Sequence, residues 1–472
     1  MTMVVLLLLN CISSCKKLVT VAAPITSVNS ASVYTSDATA ISVLTGMYTQ
    51  MSQSITNGGL TSSTFFPALS ADEFVLYSGA NNAIYTAYYT NNLSSTNVGA
   101  DMWVPIYKMV FYCNSALEGL AGSSGLTPAI KQQLTGEAEF MRAFCYFYLV
   151  NLYGDVPLVL STDYKSTATM AKAPQAQVDS QIVADLKNAQ NNLSTSYLDG
   201  TLLNVTPQRV RPTKWAATAL LARTYLYEAD YADAETQATA IINNSGQYAL
   251  TGLNSVFLMN SQEAIWQLQA INSGQNTPDA WLFIIPTTGL SSSHPVYLRS
   301  SLLNSFEPND QRKVDWINVF IDQTVTPNNY YYYPYKYKSA TLNAPITEYE
   351  MVLRLGEQYL IRAEAEAQLN DLTDAANDLN TIRTRANLPA ISNSIAASQP
   401  ALVAAILHER QVELFTEWGH RWFDLKRTGN IDAVMDTVAV QKGGTWSSYK
   451  ALYPIDASNL LDDPNLVQTP GY

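Results

Sequence analysis

The chain has 472 residues, with 27 Lys and Arg against 39 Asp and Glu, and a formal net charge of -12. This acidic balance, without a block of basic residues, argues against a nucleic acid as partner. Only 14% of the residues are charged while 29 are tyrosines, a composition suited to binding neutral polar ligands through flat rings beside hydrogen-bonding groups.

The first residues resemble a bacterial export signal. The apolar run at residues 3–9 is far shorter than the roughly 20 residues that cross a bilayer, and the following ISSC at residues 12–15 matches the lipobox of bacterial lipoproteins. The pattern predicts a signal peptide at residues 1–14 and a lipid anchor on Cys15. No Lys or Arg precedes the apolar run, although such signals normally carry one, so a chance match is the alternative.

Helical periodicity dominates the next part of the chain. The predicted helices cover residues 37–51, 103–120, 131–153 and 180–193. Ser36 is the expected N-cap of the first helix, and GDVP at residues 154–157 is expected to end the third. Residues 54–100, rich in Asn, Ser, Thr, Gly and Tyr, lack sustained periodicity and are predicted to be long loops. Cys113 and Cys145 have no metal or redox spacing and are predicted to be buried thiols, with a disulfide between them left open.

Two segments carry the spacing of a tetratricopeptide repeat, which is a hairpin of two helices packed through small residues. The first segment covers residues 214–243 and the second covers residues 352–385. In the second segment, the first helix is predicted to be longer by about seven residues, or two turns. Residues 250–345 separate the two segments. They are loop-rich and contain short extended pieces such as residues 263–268.

A helix predicted at residues 401–418 runs into the stretch ERQVELFTEWGHRWFDLKRTG, residues 409–429, which raises the question of catalysis. Glu409 and Glu413 lie one helical turn apart, as a glycoside hydrolase would require of paired carboxylates on one face. Arginines alternate with these carboxylates, however, and a neighbouring Arg lowers a carboxyl pKa and makes a poor general acid. We therefore predict an ion-pair network that ties helices together.

Other motifs for catalysis or cofactor binding are missing from the sequence. HERQV at residues 408–412 begins like a zinc-protease motif, but Val412 stands where the second histidine would be. There is no Walker loop, dinucleotide fingerprint or GxSxG elbow. We therefore predict no catalytic residues, no metal and no cofactor, and we expect Trp418, Trp422 and Phe423 to be buried.

Binding through aromatic side chains remains as the predicted chemistry. Sugars stack their C–H faces on Tyr or Trp rings, while neighbouring polar groups bind the hydroxyls. The aromatic residues predicted as ligand contacts lie in the loop-rich segments: Tyr77, Tyr85, Tyr88, Tyr89, Trp281, Tyr297, Tyr331 and Tyr333. Local packing is the alternative for each of them, but binding residues are concentrated in loops.

Several segments, in order along the chain, resemble one family, the SusD/RagB-like outer-membrane nutrient-binding lipoproteins. The segments that carry the resemblance are SCKKLVTVAAP (14–24), GEAEFMRAFCYFYLVNLYGDVPLVL (136–160), SFEPNDQRK (305–313), VLRLGEQYLIRAEAEAQLND (352–371), ILHERQVELFTEWGHRWFDLKRTG (406–429) and YPIDASNLLDDPNLVQTPGY (453–472). Asp463 and Thr469 depart mildly from the usual family ending, and Gly356 stands where Ala is commoner. Asp72 occupies a family-typical early loop and joins the predicted ligand contacts, with turn capping as its alternative.

The resemblance implies a single, mostly α domain at residues 15–472. Four tetratricopeptide-like helix pairs would form a superhelix, with long loops, a few short strands and a variable ligand region at residues 250–345. It also implies a lipid-anchored protein that faces the cell exterior. There it would bind an oligosaccharide and deliver it to a SusC-like TonB-dependent outer-membrane transporter, without catalysis. Peptide ligands in the same role, and a repeat scaffold that binds only proteins, are the alternatives besides a hydrolase.

Overall fold

A computed structural model describes residues 33–52, 56, 59–96 and 100–472. The predicted signal peptide and Cys15 lie outside the described residues. Within those ranges, none of the helices has the length and apolar character that crossing a membrane requires.

Helices make up most of the described chain, and strands are few and short. The helices are α1 (Asp37–Met51), α2 (Phe66–Ser70), α3 (Ala83–Tyr89), α4 (Ala100–Gly122), α5 (Pro128–Tyr153), α6 (Tyr164–Thr167), α7 (Gln175–Asn192), α8 (Lys214–Tyr227), α9 (Tyr231–Ile242), α10 (Pro278–Phe283), α11 (Ser300–Ser305), α12 (Gln311–Asp315), α13 (Leu355–Gln368), α14 (Leu372–Arg385), α15 (Asn393–Ala396), α16 (Gln399–Glu413), α17 (His420–Arg427), α18 (Ile431–Gln441) and α19 (Ala457–Asp462). The strands are β1 (Phe74–Leu76), β2 (Ala264–Leu268), β3 (Val296–Leu298), β4 (Ile317–Asp322), β5 (Asn329–Pro334) and β6 (Glu350–Arg354). This confirms the predicted fold class.

Local capping explains where the first helices begin and end. The Ser36 side chain accepts from the backbone N–H of Thr39 and caps α1, as predicted. Asp37, in the first turn of α1, accepts from the backbone N–H of Thr127 at 2.9 Å, just before α5. That long helix ends at Gly154, whose φ of 72° is the left-handed conformation that glycine adopts without strain. Ser36 therefore caps α1, while the adjacent Asp37 links α1 to the start of α5.

The long helices pack consecutively and form the scaffold. α4 packs on α5, α5 on α7, α7 on α8, and α8 on α9. α9 then packs directly on α13, which pairs with α14 and α16. The two predicted repeat hairpins, α8–α9 and α13–α14, are thus neighbours in space although more than a hundred residues separate them in sequence. Their helices approach closely through small buried residues such as Ala222, Ala238 and Ala363.

The predicted extra length of the second hairpin is wrong. α8 and α13 each have 14 residues. Residues 350–354 form β6 instead, because they pair with β2 in an antiparallel ladder and all five are buried. A short buried apolar run does not by itself separate a strand from the start of a helix.

Two further boundaries differ from the prediction. Residues 54–100 are more structured than expected, since they contain α2, β1 and α3, elements too short to give a periodic signal. The helix expected to reach residue 418 ends at Glu413. Thr416, Trp418 and Gly419 all have positive φ, which an α-helix does not allow. Cys113 and Cys145 are free and buried, as predicted.

The strands form three two-stranded antiparallel sheets, namely β1–β3, β2–β6 and β4–β5. β3 also lies beside β5, so the first and third sheets are neighbours. Residues 250–345 contribute β2 to β5 together with α10 to α12, between the two halves of the helical scaffold. Residues 250–345 therefore add short strands and turns to the helical scaffold. Their side chains are available in addition to those of the repeat helices.

Candidate functional site

The main candidate site is a group of aromatic side chains where β3 meets β5. Tyr297 on β3 and Tyr331 on β5 form an edge-to-face pair with ring centroids 5.0 Å apart. Phe320, the register partner of Tyr331 on β4, stacks on it at 6.4 Å. Tyr89, at the end of α3, lies close enough to Tyr297 to influence its ionisation. We call Tyr89, Tyr297, Phe320 and Tyr331 the tyrosine cluster.

Strand alternation explains why these rings meet. Successive side chains of β5 point to opposite faces, so Tyr331 points towards β3 while Tyr330 and Tyr332 point away and are exposed. On β3, Tyr297 is half-buried between the buried residues Val296 and Leu298. The cluster therefore presents partly exposed rings that are supported from behind by the core.

Two basic side chains border the tyrosine cluster. The Arg299 side chain lies near the hydroxyl of Tyr89. The Nζ of Lys442 lies 5.1 Å from the centre of the Tyr89 ring, while it donates to the carbonyl oxygens of Leu69 at 2.6 Å and Ser70 at 3.0 Å. Burial raises the pKa of Tyr89, although Arg299 opposes the shift.

The phenols of Tyr89 and Tyr297 are neutral at physiological pH, because the pKa of each is raised. Burial raises the pKa of Tyr297, and the neighbouring Tyr89 and Tyr331 raise it further. A neutral phenol both donates and accepts a hydrogen bond. Adjacent rings with such hydroxyls can stack on the C–H face of a sugar and bind the hydroxyls at its edge.

Three other predicted aromatic contacts are partly exposed but outside this cluster. Tyr77 follows β1 and its N–H donates to the carbonyl of Pro295 at 2.7 Å. Tyr85 packs against Phe65, with ring centroids 5.1 Å apart. Trp281, on α10, is 36% exposed, and no described aromatic ring contacts it. Among the described residues, none of these three rings makes a direct ring contact with Tyr297 or Tyr331.

Three predicted contacts are buried, and we remove them from the candidate site. Tyr88 is 0% exposed and stacks on Phe66 at 4.3 Å. Tyr333 is buried because it lies nearer the core end of β5. Asp72 is buried and forms a bidentate pair with Arg421, with both N–O distances 2.8 Å. Packing and ion pairing already occupy these side chains, so a ligand has no access to them in this conformation.

Sequence reasoning missed Phe320 and Arg299. Phe320 became visible only through its register with Tyr331 across the β4–β5 hairpin. The alternation of INVFID, residues 317–322, with the tyrosine run at residues 330–333 was the available signal. Arg299 had no sequence signal, because its contact with Tyr89 joins two distant segments.

The charged stretch at residues 409–429 forms the predicted ion-pair network. Glu413 accepts from Arg354 at 2.6 Å and from Arg312 at 3.0 Å, and it also contacts Arg385. Burial alone would raise the pKa of Glu413, but these three guanidinium groups outweigh it and hold the pKa far below its ordinary value. Glu409 pairs with Arg312 at 2.7 Å. Neither glutamate is therefore the accessible general acid that glycoside hydrolysis needs.

The network continues through the rest of the stretch. Glu417 accepts from Arg354 at 2.8 Å, and Arg410 pairs with Asp424 at 2.8 Å. Trp418, Trp422 and Phe423 are buried, as predicted. This region ties α13, α16 and α17 together and contributes no residue to the tyrosine cluster.

Comparisons with known proteins match both halves of the chain. A family model described as "SusD family" matches residues 304–472. A second, described as "Starch-binding associating with outer membrane", matches residues 27–226. SusD-like protein P25 of Formosa agariphila is 24% identical over an alignment of 429 residues, with a coverage of 78% for this chain and 78% for the relative.

Solved structures share the fold. A SusD superfamily protein from Bacteroides vulgatus superposes with a TM-score of 0.78 and 21% identity, covering 92% of this chain and 99% of the other. Surface glycan-binding protein A from Bacteroides fluxus gives a TM-score of 0.75 and 21% identity, again with 92% and 99% coverage.

Proposed function

The chain belongs to the SusD/RagB-like family, and we propose that it is an oligosaccharide-binding protein that works at the outer membrane. The family description of residues 27–226 names starch binding and association with the outer membrane. A structural relative is named as a surface glycan-binding protein. Both support a carbohydrate ligand rather than a nucleic acid, as does the net charge of -12.

The observation that carries the proposal is the pair formed by Tyr297 and Tyr331. Their rings are 5.0 Å apart and nearly perpendicular, at 75°. Successive sugar rings in a glycan chain are rotated relative to one another, so two aromatic rings of different orientation suit neighbouring sugars. The phenol hydroxyls of the cluster supply donors and acceptors for the sugar hydroxyls.

Binding without catalysis is part of the proposal. The carboxylates that first suggested hydrolysis, Glu409 and Glu413, are buried and held in arginine pairs. The protein would release the ligand without any chemical change to the ligand.

We further propose that Cys15 is lipidated, that the protein faces the cell exterior, and that it delivers its ligand to a SusC-like TonB-dependent transporter. The lipobox at residues 12–15 and the outer-membrane family description support this. A Cys15→Ser variant is expected to leave the membrane fraction and to lose copurification with the transporter. Retention of the variant in washed outer membranes would contradict the anchor.

The ligand class is tested by calorimetry on the folded protein that lacks only its predicted signal peptide, residues 1–14. Oligosaccharides from starch, laminarin, xylan and mannan form one panel, and a casein peptide digest forms the other. We expect binding to at least one oligosaccharide, with no new reducing ends over several hours. Binding of peptides alone would replace glycan by peptide in the proposal, and release of new reducing ends would establish a hydrolase.

A further inference from the structure

A cavity separate from the tyrosine cluster opens beside α1. It has a volume of about 440 Å³, within the range of roughly 300–1,000 Å³ typical of small-ligand sites. Its walls come from the outer face of α1, from residues 198–211, and from the residues that follow β2 and precede β6. None of its lining residues belongs to the tyrosine cluster or to the ion-pair network at residues 409–429.

One wall of the cavity is a row of hydroxyl groups on α1. Thr45, Thr49 and Ser52 line the cavity, and their spacing places them on one helix face. Each hydroxyl donates to a backbone carbonyl one turn earlier: Thr49 to the oxygen of Thr45, and Ser52 to the oxygen of Tyr48, both at 3.0 Å. Because their hydrogens are used in this way, these side chains offer lone pairs to the cavity.

The opposite wall also offers acceptors. The Oε1 atom of Gln208 is buried and has no hydrogen-bond partner among the described residues. Asp199, at the same cavity, accepts from Thr201 and Asn204. These hydrogen bonds lower the pKa of Asp199 to about 2, so it is an acceptor throughout the physiological pH range. An acceptor-rich cavity is complementary to a ligand with several hydroxyl donors.

In the part of the chain that the structure describes, the remaining lining offers no uncompensated positive charge to an anionic ligand. Arg211 is the cation of the cavity, and it is already neutralised by Glu137 at 2.6 Å and bound to the hydroxyl of Thr45 at 2.6 Å. Leu198, Val210 and Ile271 add apolar surface. Apolar patches beside hydroxyl acceptors match the alternating C–H faces and hydroxyl edges of a neutral sugar.

We propose that this cavity is a second carbohydrate subsite, which binds the end of a neutral oligosaccharide through its hydroxyl groups. The inference rests on the proposed glycan-binding function and adds a site of different character. The tyrosine cluster stacks on sugar faces, whereas the α1 cavity accepts from sugar hydroxyls. A glycan captured at both sites would be held at two separate points.

The test uses saturation-transfer NMR and calorimetry with maltose, laminaribiose, xylobiose and mannobiose. The cavity variant is Thr49→Val/Gln208→Leu, which removes two acceptors while keeping similar shapes. Its matched control is Thr236→Val, because Thr236 is an exposed helical threonine that donates to Ala232 in the same way. The cluster variant is Tyr331→Ala. Ser52→Ala serves as a milder cavity variant if the double variant fails to unfold cooperatively.

We expect the Tyr331→Ala protein to retain saturation transfer to at least one disaccharide. The affinity for that disaccharide should be at least tenfold lower in the cavity variant and unchanged in Thr236→Val. Unchanged disaccharide binding in both cavity variants, with binding lost in Tyr331→Ala, would overturn the second subsite and leave the proposed function standing. Absence of binding to any sugar by the unmodified protein, here and in the oligosaccharide panel, would overturn both.

Discussion

Arg421→Ala tests whether the charged C-terminal stretch stabilises the fold rather than binding ligand. Arg421 and Asp72 form a bidentate pair with side-chain exposures of 15% and 7%. Asp72 directly precedes Glu73, whose carboxylate accepts from the backbone N–H of Thr416 at 2.8 Å. The pair therefore ties α17 to the turn before β1, and its loss leaves the carboxylate of Asp72 buried without its cation.

The size of the effect follows from burial. Removing one partner of a buried ion pair costs about 3–5 kcal/mol, and the residual exposure of Arg421 favours the lower end of that range. A chain of 472 residues that unfolds with roughly 2 cal/mol/K per residue has an unfolding entropy of about 1 kcal/mol/K. The expected fall in Tm is therefore about 3 °C.

The assay is differential scanning calorimetry at pH 7, followed by ligand titration of the folded variant. Lys313→Ala, which removes an exposed positive charge, is the control and should leave Tm within about 0.5 °C. Asp72→Ala/Arg421→Ala should lose less stability than the sum of the two single variants, because the unpaired charge is gone. Normal Tm with lost ligand affinity would refute the structural role of Arg421.

Three further predictions concern Glu73, Glu413 and Gly356, each of which lies beside buried charged groups. Burial raises the pKa of Glu73 to about 7, so the folded protein binds a proton more tightly than the unfolded chain and loses stability as pH rises from about 4.5 to 7. The Tm of Glu73→Gln should therefore exceed the Tm of the parent by more at pH 8 than at pH 5. An equal difference at the two pH values would contradict this. Glu413→Gln leaves its arginines undercompensated and should lower Tm by about 3–5 °C, an effect that calorimetry detects and that an unchanged Tm would exclude. Gly356→Ala places a Cβ 2.5 Å from a guanidinium nitrogen of Arg354, so its Tm in thermal unfolding should be lower than that of the parent despite the higher helix propensity of Ala. A higher Tm would show that the guanidinium group moves aside freely.

The scaffold was predictable because helical periodicity and capping are local properties. Ser36 and Gly154 marked helix ends in the sequence and do so in the structure. The segment at residues 350–354 was misjudged because its strand character depends on β2, more than eighty residues earlier. Pairing of distant segments has no signal in the local pattern.

The candidate site was predictable only in part, for the same reason. Tyrosine abundance in residues 250–345 drew attention to Tyr297 and Tyr331, but nothing local separated these rings from the buried Tyr88 and Tyr333. Burial of Asp72 required its pairing with Arg421 across the chain. The α1 cavity was also invisible, since its two walls lie far apart in sequence.

The central claim is that the tyrosine cluster binds glycan, and one pair of variants on a single strand tests it most directly. Tyr331 belongs to the cluster, whereas Tyr330, its neighbour on β5, points away and is 54% exposed. With the best oligosaccharide from the panel, calorimetry should show affinity reduced at least tenfold in Tyr331→Ala and unchanged within twofold in Tyr330→Ala, with similar Tm for both. Equal affinities for the two variants, or a loss confined to Tyr330→Ala, would contradict the account.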